Sequence, residues 1–181
     1  QIASGRLEHG WLDREVLGVA FDGTGYGPDG TIWGGEFLRT SVSGFRRVSH
    51  LRTFSLVGNE AAIREPRRIA ISLTHQAIQL DGSQSGLNRV ELEFAQHLRP
   101  LLEHPRYSLR TSSAGRLFDG VASLVLGLDI AEFEGQPAQL LEAISDPAER
   151  QGYSMPLQAD EIDWRPMILE LLNDRARGTS P

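Results

Sequence analysis

The stretch GVAFDGTGYGPDGTIWGGEFL, residues 18–38, constrains the fold more than any other part of the sequence. An apolar run enters it and an apolar–aromatic run leaves it, and it holds seven glycines in all. The pattern predicts two short buried strands, residues 16–21 and 31–38, joined by a glycine-rich corner. A tight hairpin needs at most about two glycines. The excess indicates that the backbone itself comes close to something.

Known glycine motifs do not account for the corner. Gly23, Gly25 and Gly27 are spaced G-x-G-x-G and a strand follows, where a dinucleotide fingerprint needs a helix. A Walker A loop needs a lysine, and all 18 basic residues here are arginine. Two readings remain. In one, successive amides of residues 23–25 converge on an anion, Asp22 holds a metal-bound water or a hydroxyl, and Thr24 adds a hydroxyl donor. In the other, the stretch is a long hairpin turn that uses Asp-Gly twice, at 22–23 and 29–30.

A hydrophobic share of 40 % over 181 residues supplies one core, and residues 1–181 read as a single domain. The formal net charge of −6 speaks against a nucleic-acid partner, because such domains carry a basic excess. With no cysteine there is no disulfide framework, thiolate nucleophile or Cys-zinc site. No apolar run approaches about 18 residues and no signal-peptide pattern opens the chain, so no membrane partner and a cytoplasmic location are expected.

The fold class expected is α/β: a mixed sheet starting with a β-meander over residues 16–57, flanked by helices. Residues 2–9 close a first helix at Gly10, and residues 43–56 form the third strand, broken near His50. A helical region over 59–108 follows. In it, one helix opens at GNEAAIREPRR and runs towards Leu80, residues 80–88 connect, and residues 91–103 form a helix stopped by Pro105. His97 and His104 are seven apart without a carboxylate at matching spacing, and no metal site is assigned. Arg64, Arg67 and Arg68 sit at a helix start, against the sign of its dipole, as a solvated face or beside an anion.

The last region, 111–175, begins with the clearest helix, TSSAGRLFDGVASLVLGL. Ser112 or Ser113 caps it and Gly127 ends it. Leu117, Phe118, Val121, Leu124 and Val125 form an apolar stripe, with Ser112, Gly115, Arg116 and Asp119 on the other face. Free amides at its start suit an anion, and Asp119 suits ribose hydroxyls. The competing reading is a capped amphipathic helix whose Arg116–Asp119 pair lies on the surface and contributes under about 1 kcal/mol. Two further helices follow, one after FEGQP and one over 163–175.

Four segments, AFDGTGYGPDGTIWGGEF, AAIREPRRIA, TSSAGRLFDGVASLVLGL and FEGQPAQLLEAI, occur in an order that closely resembles the hydrogenase-maturation carbamoyltransferases of the HypF type. The matching region is part of that family's C-terminal module, similar to the subunit that transfers threonylcarbamoyl to tRNA. The resemblance implies a partial sugar kinase/actin/Hsp70-type nucleotide-binding fold with the phosphate loop between its first two strands. It also implies a reaction: carbamoyl phosphate and ATP give carbamoyl-adenylate, and the carbamoyl group passes to the C-terminal cysteine of the partner HypE as precursor of the cyanide ligand in nickel–iron hydrogenases.

By this resemblance Asp22, Gly23, Thr24 and Gly25 face the phosphate, with Ser112 and Gly115 at the helix start. Asp119 faces the ribose, and Gly135 lets the nucleotide lie close to the backbone. The divalent metal of the family has its ligands outside this chain. A histidine cluster precedes IAS in the family, and Gln1 stands where its last histidine is expected. A glycine-rich nucleotide segment and an Asp-Gly-Gly segment would follow Pro181, and Arg67 replaces a common tryptophan. The chain therefore reads as an excised part of the module, inactive alone. The alternatives are a non-catalytic docking module or a kinase-like ATP-using enzyme of the same superfamily.

Overall fold

The computed structural model describes residues 2–81, 87–102 and 104–178. Strand β1 (Val16–Tyr26) alternates, exposing Leu17, Val19 and Phe21 on one face and half-burying Gly18 and Ala20 on the other. It pairs antiparallel with β2 (Ile32–Ser41), which pairs antiparallel with β3 (Gly44–Leu51). This is the expected meander, with two corrections. β1 is not the buried strand expected, since none of its residues is fully buried and Leu17, Val19 and Phe21 stand exposed on one face. β1 does not end at Phe21: Asp22, Gly23 and Thr24 bulge opposite Gly34 alone, between the Phe21–Gly35 and Gly25–Trp33 pairs. The chain reverses only at residues 27–31, where the Gly27 N–H donates to the Thr31 carbonyl at 2.9 Å and Gly30 takes φ +78°. Asp29–Gly30 is thus a true turn and Asp22–Gly23 is not.

The third strand breaks later than expected, at Arg52 and Thr53. Beyond the break β4 (Phe54–Val57) pairs with β5 (Ser108–Thr111), which joins β2 in parallel through Ile32 and Thr111. On the far side β3 takes up β7 (Glu161–Ile162), parallel, and β7 takes β6 (Leu157–Gln158). The sheet is mixed, running β4-β5-β2-β3-β7-β6 with β1 on β2.

Helices flank it: α1 (Ile2–Glu8), α2 (Glu60–Arg64), α3 (Pro66–Asp81), α4 (Arg89–Leu102), α5 (Ala114–Leu126), α6 (Gln136–Ile144) and α7 (Arg165–Arg177). The single helix expected from GNEAAIREPRR divides at Glu65, because the residue before a proline is pushed out of helical geometry. Most of the expected connection over 80–88 lies outside the described residues; α3 itself continues to Asp81. α4 tolerates Pro100 and ends before Glu103, which also lies outside them.

The core sits where α3, α5 and α7 meet β4. Phe54 stands edge-on to Trp164 with ring centres 5.8 Å apart, and Ile69, Leu73, Leu124 and Ile168 close around them. α5 can lie tightly on α3 because residue 120 is glycine: a Cβ there would come within 2.6 Å of Leu73. Its start is capped by the Ser113 hydroxyl, which accepts the Arg116 amide, and Gly127 ends it in the left-handed region. The two-faced reading of α5 needs correction. Phe118 in the expected stripe is 51 % exposed, whereas Arg116 and Asp119 on the expected outer face are 4 % and 2 % exposed. α5 lies between α3 and the β1 bulge, so both of its long faces are covered.

Candidate functional site

The object that the glycine-rich backbone approaches is the start of α5. Ser113 donates its hydroxyl to the carbonyls of Asp22 and Gly23, each at 2.7 Å. Side chains would prevent this closeness. A Cβ on Gly34 would lie 2.4 Å from the Asp22 carbonyl oxygen, one on Gly35 2.3 Å from that of Ser112, and one on Gly115 2.9 Å from Gly23 Cα. Bulge, β2 and helix start therefore interlock backbone to backbone. Gly23 and Gly115 come together as expected, Gly25 pairs with Trp33 at the end of the bulge, and Thr24 is exposed on it. Asp22, also exposed, accepts the Gly23 amide at 2.7 Å.

Ser112 is placed differently. Its hydroxyl is turned from the helix start to the Glu36 carboxylate, which also accepts the Gly34 and Gly35 amides at 3.1 and 3.2 Å. Arg47 closes the group. It donates to Glu36 and, at 3.0 Å, to Ser112, reaches Asp29 at 3.3 Å, and lies 4.2 Å over the Trp33 ring. Burial pushes the Glu36 carboxyl up, but hydrogen bonds from Arg47, Ser112 and Gly34 outweigh this and hold it below the usual range. Sequence reasoning did not single out Glu36. The available signal was a carboxylate at the centre of the apolar strand IWGGEFL.

On the other side of the bulge, Arg116 Nε lies 2.9 Å from Asp119 Oδ2. The pair is buried, which overturns the surface-pair reading. Glu134 joins it from the turn before α6, whose first residues follow Gly135 at φ +81°. Burial, aided by Glu134 and opposed by Arg116, pushes the Asp119 carboxyl up to about 6. Between the ordinary value and this one the folded chain holds a proton that the unfolded chain has lost. Stability from this site is therefore full below pH about 4 and lost by pH about 6, at most about 3 kcal/mol in all. Urea midpoints across that range should fall for the wild type relative to Asp119→Asn. A constant difference would mean that Arg116 keeps Asp119 ionised throughout.

Next to the bulge a cleft of about 470 Å³ opens between α1 and the meander. Ile2, Ala20, Leu38 and Phe45 form apolar walls, and Asp22 and Glu36 line it. Its size and mixed lining suit a small ligand. The other clusters are locally committed. Arg67 and Arg68 grip Glu65 at 3.0 and 3.2 Å, and Arg67 lies 4.3 Å over Phe94, so these two stand beside a carboxylate of the chain itself, whereas Arg64 is exposed. His97 lies 2.6 Å from the Glu93 carbonyl, and His104 accepts the Arg106 amide. Among the described residues no group of three histidine or carboxylate side chains is arranged to hold a metal ion. No helix among them is long and apolar enough to cross a membrane.

Residues 18–181 match the family described as carbamoyltransferase, Kae1-like domain, second subdomain. The chain belongs to the HypF carbamoyltransferase family. It is 41 % identical over 182 aligned positions to the carbamoyltransferase HypF of Synechocystis, covering 89 % of this chain and 24 % of that protein. A full-length HypF crystallised in a phosphate- and nucleotide-bound form superposes with TM-score 0.81 at 34 % identity, over 99 % of this chain and 29 % of that one. The HypF of T. kodakarensis gives TM-score 0.73 at 27 % identity, over 92 % and 23 %. The chain thus spans about a quarter of these HypF relatives. The mixed sheet with flanking helices is the HypF fold over this region.

Proposed function

We propose that residues 1–181 are one part of a HypF carbamoyl-transfer module. Its parent carries a carbamoyl group from carbamoyl phosphate, through carbamoyl-adenylate made with ATP, to the C-terminal cysteine of a HypE-type partner during nickel–iron hydrogenase maturation. The reading is carried by one observation: the β1 bulge, the start of α5 and the Arg116–Asp119 pair meet at one corner. The likeness to a nucleotide-bound HypF supports it.

In this reading Gly23, Gly25 and Gly115 let phosphate approach the backbone, and Ser112 anchors the α5 start from beneath. Asp119 takes the ribose hydroxyls, and Gly135 clears the path of the nucleotide. Asp22 and Thr24 hold the reacting end, Asp22 as a carboxylate at the mouth of the cleft and Thr24 as a hydroxyl donor. The adenylate supplies an activated carbonyl carbon; the acceptor thiolate bonds to that carbon, its bond to the phosphate oxygen breaks, and AMP leaves. A divalent metal in the parent would, in this reading, take its ligand set from outside this chain.

The test supplies carbamoyl phosphate, ATP and the acceptor's cysteine tail to the full-length protein and measures thiocarboxamide. Asp22→Ala should slow transfer on the order of 100-fold, the scale of a misplaced reacting group, with the melting temperature little changed. The isolated 181 residues should form no measurable product. An Asp22→Ala rate equal to wild type removes Asp22 from the chemistry. A rate from the isolated chain near that of the parent means the active site lies elsewhere.

A further inference from the structure

The buried side of α5 carries a charge pair that the fold leaves incomplete. Arg116 Nε and Asp119 Oδ2 are 2.9 Å apart, yet neither atom has an aligned hydrogen-bond partner. Buried ion pairs offset their desolvation only with good geometry and satisfied neighbours, so this one is poorly repaid where it stands. A second carboxylate, that of Glu134, stands close by and acts on Asp119. Arg116 Nη2 and Glu134 Oε1 lie 3.5 and 3.8 Å from the point where a Cβ on Gly23 would sit. The guanidinium therefore stands between Asp119 and the bulge, beside the first turn of α5, where Gly115 touches Gly23.

We propose that Arg116 is a ligand-binding residue with two positions. At rest it covers Asp119. With a phosphate lodged at the Gly23 bulge its guanidinium turns to that anion, and Asp119 is freed to accept hydroxyls of the attached sugar. The inference rests on the nucleotide reading above and adds to it a phosphate-binding cation, in a chain without lysine. It also makes the site selective for ligands that carry both groups. Phosphate alone must take Arg116 from Asp119, and a sugar diol alone must take Asp119 from Arg116. A nucleotide engages both partners of the pair at once.

Opposite signs test this. The 181-residue chain is titrated separately with tripolyphosphate and with adenosine to millimolar concentration, followed by amide chemical shifts. Asp119→Asn, close to isosteric, should bind tripolyphosphate at least threefold more tightly and adenosine at least threefold more weakly than wild type. Arg116→Gln should reverse both signs. Variants that move both ligands in the same direction, or neither, would mark the pair as structural and overturn the switch while leaving the nucleotide reading standing. A wild type that binds neither probe would overturn both. Should a variant not fold, the wild type decides: the Arg116 Nε–H resonance should shift and lose protection from solvent exchange as tripolyphosphate is added. A resonance that stays in place while the Gly23 and Gly115 amides shift refutes the two positions.

Discussion

Glu36→Ala should destabilise the chain by about 3–5 kcal/mol, the range for removing one partner of a buried ion pair. The substitution takes away more than a charge. It removes the acceptor for the Gly34 and Gly35 amides and for the Ser112 hydroxyl, and it leaves Arg47 with Asp29, the Ser112 oxygen and the Trp33 ring. Those remaining contacts place the expectation at the lower end of the range. Because the folded carboxyl is held below its ordinary value, its contribution is present above pH about 4.5 and lost as pH falls through the lowered value. This is opposite in sign to Asp119. Chemical denaturation of wild type and Glu36→Ala at neutral and acid pH measures both the size and the direction. A loss under about 1 kcal/mol at neutral pH would show that the network adds little beyond an exposed pair.

Gly34→Ala should cost about 3 kcal/mol or more, at or above the upper end for overpacking. Its new methyl group would stand 2.4 Å from the Asp22 carbonyl and 3.1 Å from Ser113 Cα, and both neighbours are backbone that cannot rotate away. Relief requires β2 to part from the bulge or from the start of α5, so the corner should loosen together with the fold. Gly5→Ala is the control, since nothing lies within 4 Å of its added carbon and helix propensity favours alanine. Urea midpoints of the two variants should move in opposite directions. A Gly34→Ala midpoint within error of wild type would mean that the close approach is not maintained in solution.

Local signals in the sequence revealed the meander, and with it the placement of Asp22 next to a glycine-rich corner. Alternation, the Asp29–Gly30 turn, the Ser113 cap and the Gly127 stop act over a few residues and can be read one after another. What escaped depends on distant partners. β5 has four residues, with Leu109 and Arg110 exposed, and is a strand only because β4 and β2 receive it. The glycines at 34 and 35 could be seen as an excess, but the reason for them, as for Gly115, lies across the chain in the backbone of Asp22, Gly23, Ser112 and Ser113. Periodicity assigned Arg116 and Asp119 to an outer face, correctly as a shared face and wrongly as a wet one. A helix moment does not register a second layer of backbone covering the polar side.

The Ser113 clamp on Asp22 and Gly23 spans 91 and 90 residues, whereas the hairpins of the meander close over a few. Closing so long a loop costs about 2–3 kcal/mol more than closing a hairpin turn. During synthesis the meander can assemble as soon as Leu51 has emerged, while the corner has to wait for α5. Until then the bulge is a strand irregularity with no counterpart, while Leu17, Val19 and Phe21 of β1 are exposed both before and after the corner closes. The order is reversed on unfolding. Departure of the α5 start dissolves the corner while the hairpins still hold their register, so amide exchange at Gly23 should outpace that at Phe37.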